Sequence, residues 1–269
     1  MSEQNPVSEQ NPLAPSLQLL WHGLPESDRG PRPRLTLAQI VEAAVVLADG
    51  EGLEALSMRA LARELGVGTM SLYRYVPSKT ELLNLMLDAV VADPADGHPA
   101  AETAAVPAAG DADTHWRRSL EEAAQSARRL YLAHPWTMQA TWMRPVLGPN
   151  ALTGLDRRLA GLRGLPMSDQ EKMGILSAVD SYVMGALRQE IQWQSAAEDS
   201  GMTDDEFWRH QIPALSAAMA SGRFPEMAQL SDDTFDLTWE DDFDFGLALL
   251  LDGVEQTVAR RRAVGNEDC

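Results

Sequence analysis

Between positions 59 and 79 stand Arg59, Thr69, Met70, Ser71, Tyr73, Arg74, Tyr75 and Lys79. Together they suit nucleic acid. A guanidinium fork can bond guanine O6 and N7 at once, and a Met side chain or a Thr methyl can lie against a thymine methyl. Hydroxyl and cationic side chains hold phosphate oxygens and so fix register. Such chemistry works only if the groups share one rigid, exposed edge.

The intervening residues build that edge. Met58, Leu61, Ala62 and Leu65 follow the i, i+3, i+4, i+7 spacing of a helical face. Ser57 sits where its hydroxyl can cap the first turn. Gly66 can take the positive φ of a sharp turn, and Val67 plugs the angle behind it. A second short helix is predicted from about Thr69 to Val76, burying Leu72 and Val76 and turning Thr69, Met70, Ser71, Tyr73, Arg74 and Tyr75 elsewhere. Pro77-Ser78 then breaks the chain and caps a further helix carrying Lys79 and Glu81. Upstream, Thr36 opens a helix with Leu37, Ile40, Val41, Ala44, Leu47 and Ala48 on one face, closed by Asp49-Gly50-Glu51-Gly52. A plain helix–helix corner is the other reading of any helix–Gly–helix stretch, but a third helix packed before it gives the layout of a helix-turn-helix DNA reader.

The stretch LTLAQIVEAAVVLADGEGLEALSMRALARELGVGTMSLYRYVPSKTELLNLMLDAVV, about Leu35 to Val91, resembles the DNA-binding domain of the TetR family of bacterial repressors. The likeness runs through the elements A-x-x-L, G-L-x-x-L-S-x-R, L-A-x-x-L-G-V and L-Y-x-x-V-x-x-K. It implies that Arg59 reaches a base or a phosphate and that Tyr73, Tyr75 and Lys79 anchor phosphates. Thr69, Met70 and Ser71 meet base edges, and Arg74 can serve either purpose. Tyr75 departs from the family's frequent His. Plain packing within a small domain is the other role open to Tyr73 and Tyr75.

Charge at first opposes this reading, because the chain carries −18 where nucleic-acid binders usually show a basic footprint. Locally the balance differs. Residues 29–81 hold seven basic side chains (Arg29, Arg32, Arg34, Arg59, Arg63, Arg74, Lys79) against six acidic ones (Glu42, Asp49, Glu51, Glu54, Glu64, Glu81). An acidic body opposes loose binding to phosphate wherever the reader is not docked.

Residues 1–34 are expected to form a flexible, Pro-rich arm, with six prolines, a near-repeat of SEQNP and the tail Asp28-Arg-Gly-Pro-Arg-Pro-Arg34. The Pro-Arg-Pro-Arg run, ending in Arg34, suits a minor groove beside the reader; a disordered tail with incidental charge is the alternative. Leu19 to Leu24, with Trp21, read as a short segment that docks on the body. The arm has neither the basic start nor the long apolar run of a secretion signal.

After the reader domain (35–92), residues 93–113 are rich in Ala, Pro and acid and read as a flexible loop. Residues 114–264 show helical periodicity throughout, and 265–269 form a tail. Helices are expected near Thr114–Ala133, Trp136–Met143, Asn150–Leu165, from the capping-box spacing Ser168–Glu171 to about Ser195, across Thr203–Ala220 past Pro213, and over Asp241–Val264. The expected fold is all-α. With the pieces HPW, RPVLGPN and FDFGLALLLDGVE, this half resembles the effector-binding and dimerisation domain of TetR-like regulators.

Two stripes are candidates for a homodimer contact. Gly174, Ala178, Ser181 and Gly185 recur at helical spacing and would admit a close neighbour; Phe243, Leu247, Leu250 and Val254 recur similarly in the last helix. Packed about a two-fold axis they would make the four-helix bundle that the resemblance implies, although either stripe can equally face its own core. Trp116, Tyr131, Trp136, Met138, Trp142, Met143, Met173, Tyr182 and Gln189 are the candidate lining of a largely apolar effector pocket. Aromatic and thioether stripes are also what a plain core contains.

The sequence contains no HExxH, GxSxG, P-loop or GxGxxG signature, its five histidines lack metal-ligand spacing, and its one cysteine is Cys269. No cofactor, metal or enzymatic activity is expected. With no apolar run of ~18 residues, the chain reads as cytoplasmic with no membrane partner. The expected partners are double-stranded operator DNA, a second copy and a small-molecule effector; the expected role is repression of a palindromic operator. The competing class is a helical interaction protein, or a DNA-binding protein that needs no effector.

Overall fold

A computed structural model describes residues 11–24, 35–92, 112–140, 146–231 and 233–267. Among these residues the secondary structure is helical, as the periodicity predicts, and the chain divides into two compact units at Leu165/Pro166. The sequence places a flexible loop at 93–113, between the reader domain and the second helical domain. Most of that expected linker lies outside the described residues.

In the first unit, α1 (Ala14–His22) precedes the expected reader helices. These are α2 (Leu37–Ala55), α3 (Met58–Glu64), α4 (Thr69–Leu72) and α5 (Lys79–Val90). Their buried seam is Ile40, Ala44, Leu61, Leu72, Val76, Leu82 and Met86. α2, α3 and α5 begin where their cap residues dictate. Thr36 and Gln39 form a reciprocal capping box on α2, with Gln39 N–H to Thr36 Oγ1 at 3.2 Å and Thr36 N–H to Gln39 Oε1 at 2.9 Å. Ser57 Oγ accepts from Ala60 N–H at 3.1 Å on α3, and Ser78 Oγ from Thr80 N–H at 3.1 Å on α5. The break at Gly52 (φ 80°) ends the regular part of α2.

Three more helices belong to the same unit: α6 (Ala112–Ala133), α7 (Thr137–Ala140) and α8 (Pro149–Gly161). α8 approaches α6 so closely at Gly161 that an added Cβ would fall 1.9 Å from Ser119 Oγ.

The second unit contains α9 (Asp169–Ser200), α10 (Asp204–Ala220) and α11 (Trp239–Glu267). Ser168 and Glu171 cap α9 reciprocally, as their spacing predicts, and the helix runs five residues past the expected end, to an αL Gly201. It packs on α11, burying Ile175, Leu176, Val179, Val183 and Leu187 on one helix and Phe243, Leu247, Leu251 and Val258 on the other. α10 is tied by Trp193 of α9, whose indole N–H donates to Asp204 at 2.8 Å and whose ring meets Phe207 edge-on, yet α10 buries none of its own residues.

Candidate nucleic-acid interface and the family

The turn between α3 and α4 is a complete Schellman closure. Val67 N–H donates to Ala62 C=O at 3.0 Å and Gly66 N–H to Arg63 C=O at 3.2 Å, with Gly66 at φ 63°. Gly68 then starts α4, which is shorter than the predicted Thr69–Val76. After Leu72 the backbone tightens into i→i+3 bonds, Arg74 N–H to Ser71 C=O and Tyr75 N–H to Leu72 C=O. The tightening brings Val76 back into the core and lets Pro77 follow.

This geometry sorts the reader residues by exposure. Leu61, Leu72 and Val76 are sealed beneath, while Arg59, Met70, Ser71, Tyr73 and Arg74 are exposed and Thr69 is half-buried. Met70 is 79% exposed. Tyr75 is half-buried against the apolar core, so part of its ring is structural. Lys79 Nζ donates to the Leu53 carbonyl at 3.1 Å, tying the start of α5 to the last turn of α2, just past its Gly52 break. An ammonium has three donors, and one such bond leaves two for a phosphate. Arg34 lies outside the described residues.

The expected effector residues fall in both units. Trp116, Met138 and Trp136 are buried in the first unit and Tyr131 is half-buried there; Met173, Tyr182 and Gln189 belong to the second; Trp142 and Met143 lie outside the described residues. Trp136, expected in a pocket, is 2% exposed and belongs to the core of the reader helices. Its indole N–H donates to Asp49 at the end of α2. Met173 faces solvent, and Gln189 is exposed. Tyr182 packs on Phe243 with ring centroids 5.5 Å apart and donates its hydroxyl to the Phe243 carbonyl at 2.7 Å. Burial, reinforced by Asp242, holds its phenol above the ordinary tyrosine range.

The expected dimer stripes also separate. Gly174, Ala178, Ser181 and Gly185 of α9 are all exposed, with open space where a Cβ would stand on either glycine. On α11, Phe243 and Leu247 are turned into their own unit's core, while Leu250 and Val254 are half-buried. The free apolar face of α11 is instead Phe245 (63% exposed) and Leu249 (58%). A stripe counted from Phe243 follows the inner face, because both faces of this helix carry apolar residues at helical spacing. Asp49, Asp88, Phe245 and Leu249 were not singled out from the sequence.

Comparison with known proteins settles the family. Residues 40–86 match the family described as bacterial regulatory proteins, tetR family, and residues 107–258 match tetracyclin repressor-like, C-terminal domain. The HTH-type transcriptional repressor DrrR1 of Streptomyces coeruleorubidus is 47% identical over 250 residues, covering 93% of this chain and 88% of that protein. The chain belongs to the TetR family.

An HTH-type transcriptional regulator of Saccharopolyspora erythraea is 31% identical over 242 residues, covering 87% of this chain and 90% of its own. Among solved TetR-family structures, apo ActR from Streptomyces coelicolor aligns with a TM-score of 0.64 at 27% identity, covering 86% of this chain and 99% of that one. ActR in complex with actinorhodin aligns with the same TM-score at 26% identity, covering 84% and 99%. As a TetR-family member the chain is a DNA-binding transcriptional regulator with an N-terminal helix-turn-helix and a helical C-terminal domain. Among the described residues no helix is long and apolar enough to cross a membrane.

Proposed function

We propose that this regulator represses transcription as a homodimer that reads a palindromic operator with α3 and α4 and lets go when a small, largely apolar effector binds. The observation that carries the reading is the sorted reader surface: Arg59, Met70, Ser71, Tyr73 and Arg74 exposed above a floor of Leu61, Leu72 and Val76. Repression is the role of the 47%-identical relative DrrR1. Dimerisation is supported by the exposed small-residue stripe of α9 and by Phe245 and Leu249 on α11, apolar surface that a lone chain would leave in water. Two readers about one DNA turn apart, ~34–36 Å, engage the two halves of a palindrome.

Selection of bound fragments from a random DNA pool tests the reading. Wild-type protein should return a palindrome, and Arg59→Ala should relax one base per half-site by ~1–3 kcal/mol. An unchanged motif would remove Arg59 from base reading, and a pool without enrichment would favour a helical interaction protein instead. The ligand-bound ActR structure supports an effector site here. Titrating the operator complex with actinorhodin and with smaller apolar aromatic compounds tests that half of the reading. Release by any of them is the expected outcome; a complex that survives the whole series would favour ligand-independent binding.

A further inference from the structure

α1 lies outside both family matches, which cover residues 40–86 and 107–258. It is nevertheless integral to the first unit. Leu19 is buried in the reader core, and the buried Ser16 hydroxyl accepts from Asn84 Nδ2 of α5 at 2.9 Å. From the other end of α1, Trp21 donates its indole N–H to the Leu147 carbonyl at 3.2 Å, just before α8 begins. One short helix therefore touches both α5, which leaves the reader, and the entry to α8.

A second fastening sits beside it. Asp88, buried near the end of α5, accepts from Ala151 N–H at 2.9 Å and from Asn150 N–H at 3.4 Å, while Asn150 Nδ2 returns a bond to the Asp88 carbonyl at 3.1 Å. Gly148, the N-cap of α8, has no side chain to do this capping. Asp88 does it from another helix, and its charge meets the positive end of the α8 dipole. The fit leaves no slack, since a Cβ on Gly148 would fall 2.3–2.6 Å from the Asp88 carboxylate atoms.

We infer that α1 and Asp88 form a brace that fixes the direction in which the reader helices leave α8, and that Trp21, Asp88 and Gly148 are positioning residues for operator reading. The inference rests on the dimeric operator reading above. Two readers can discriminate half-site spacing only if each is held at a set angle. A reader free to swivel must be ordered on every binding event, which weakens binding and blurs the preferred spacing.

The test uses full-length wild type, Gly148→Ala, Trp21→Phe and, as a control on the same helix, Gly154→Ala, where a Cβ meets nothing within 4 Å. The DNA is the palindrome selected by the wild type, together with versions gaining or losing one base pair between half-sites. Gly148→Ala should lose about tenfold in affinity for the selected site and discriminate less between spacings, whereas Trp21→Phe should lose about threefold. Gly154→Ala should match wild type. In parallel, spin labels at Val46→Cys and Leu152→Cys, with Cys269→Ser, report the reader-to-α8 distance without DNA. That distribution should be narrow in wild type and broader in Gly148→Ala and Trp21→Phe. Unchanged distances, unchanged spacing discrimination, or an equal effect of Gly154→Ala would overturn the brace. A wild type that selects no palindrome would overturn the operator reading, and the label distances would still decide whether the brace exists.

Discussion

Trp136 donates its indole N–H to Asp49 Oδ1 at 2.7 Å, and His134 Nδ1 lies 2.8 Å from the same oxygen. One carboxylate at the end of α2 thus holds the H-P-W segment that follows α6, and the Trp136 ring is sealed against the reader core. Trp136→Phe keeps most of the ring and removes the donor. It should lower unfolding free energy by ~0.5–1.5 kcal/mol, the net worth of one hydrogen bond, because Asp49 is solvent-exposed and keeps His134 as a partner. Urea unfolding at neutral pH measures this, and an unshifted midpoint would show the bond to be energetically idle.

Lys79 is bonded to Leu53 and has donors to spare. Lys79→Gln should weaken binding to selected and scrambled DNA alike and reduce the slope of log affinity against log salt by ~1. Fluorescence anisotropy across a salt series reads that slope. A slope identical to wild type would confine Lys79 to its intramolecular bond.

Gly66 stands at φ 63° with open space where an added methyl would sit, so only its backbone resists replacement. Gly66→Ala should cost ~1–2 kcal/mol of stability through the left-handed conformation alone. A calorimetric melt with no loss would mean that the turn rearranges without strain.

How much of this was legible in the residues depends on what decides each feature. Caps, turn and helix faces from Thr36 to Glu81 are local, and Thr36, Ser57, Gly66 and Ser78 act where their types predict. The docking of the Leu19–Leu24 segment was legible in outline because large apolar residues in a polar arm need cover. Partners far along the chain were not. Trp136 and Asp49 are 87 residues apart, and an indole in a helical stripe looks the same whether its neighbour is an effector or an aspartate. On α11 both faces are apolar, so spacing alone could not separate the inner Phe243 and Leu247 from the outer Phe245 and Leu249.

Gly185 lies on the exposed stripe of α9 with nothing near its Cβ direction. Gly185→Leu should stabilise the helix within its own chain by ~0.5–1 kcal/mol, because a helical glycine carries excess backbone entropy. At a dimer seam it should instead drive the protein towards monomer. Sedimentation velocity at micromolar concentration distinguishes the two, and a stabilised variant that sediments as wild type would take the stripe out of the interface.

Glu171 is held below the ordinary carboxylate range, first by the Ser168 backbone N–H and hydroxyl and then by Arg261. A carboxylate with a depressed folded-state pKa contributes stability above its unfolded value and loses it as pH falls through the folded one. Wild type should therefore lose its advantage over Glu171→Gln on acidification through and below the usual carboxylate range. Thermal melts by circular dichroism over that range follow it. The effect should be small, because the group is solvent-screened; a constant gap at every pH would remove ionised Glu171 from the stability balance.

Because α1 to α8 form one compact unit ending at Leu165, the DNA-reading part of this protein is not a detachable cassette. A hybrid regulator cut after residue 92 would strip Asp49 of Trp136 and His134, and Asp88 of the start of α8, leaving acceptors built for partners that the new body does not supply. The seam that preserves these bonds lies at Leu165–Pro166. Moving operator specificity between relatives is therefore better done by exchanging the exposed side chains of α3 and α4 than by transplanting the domain.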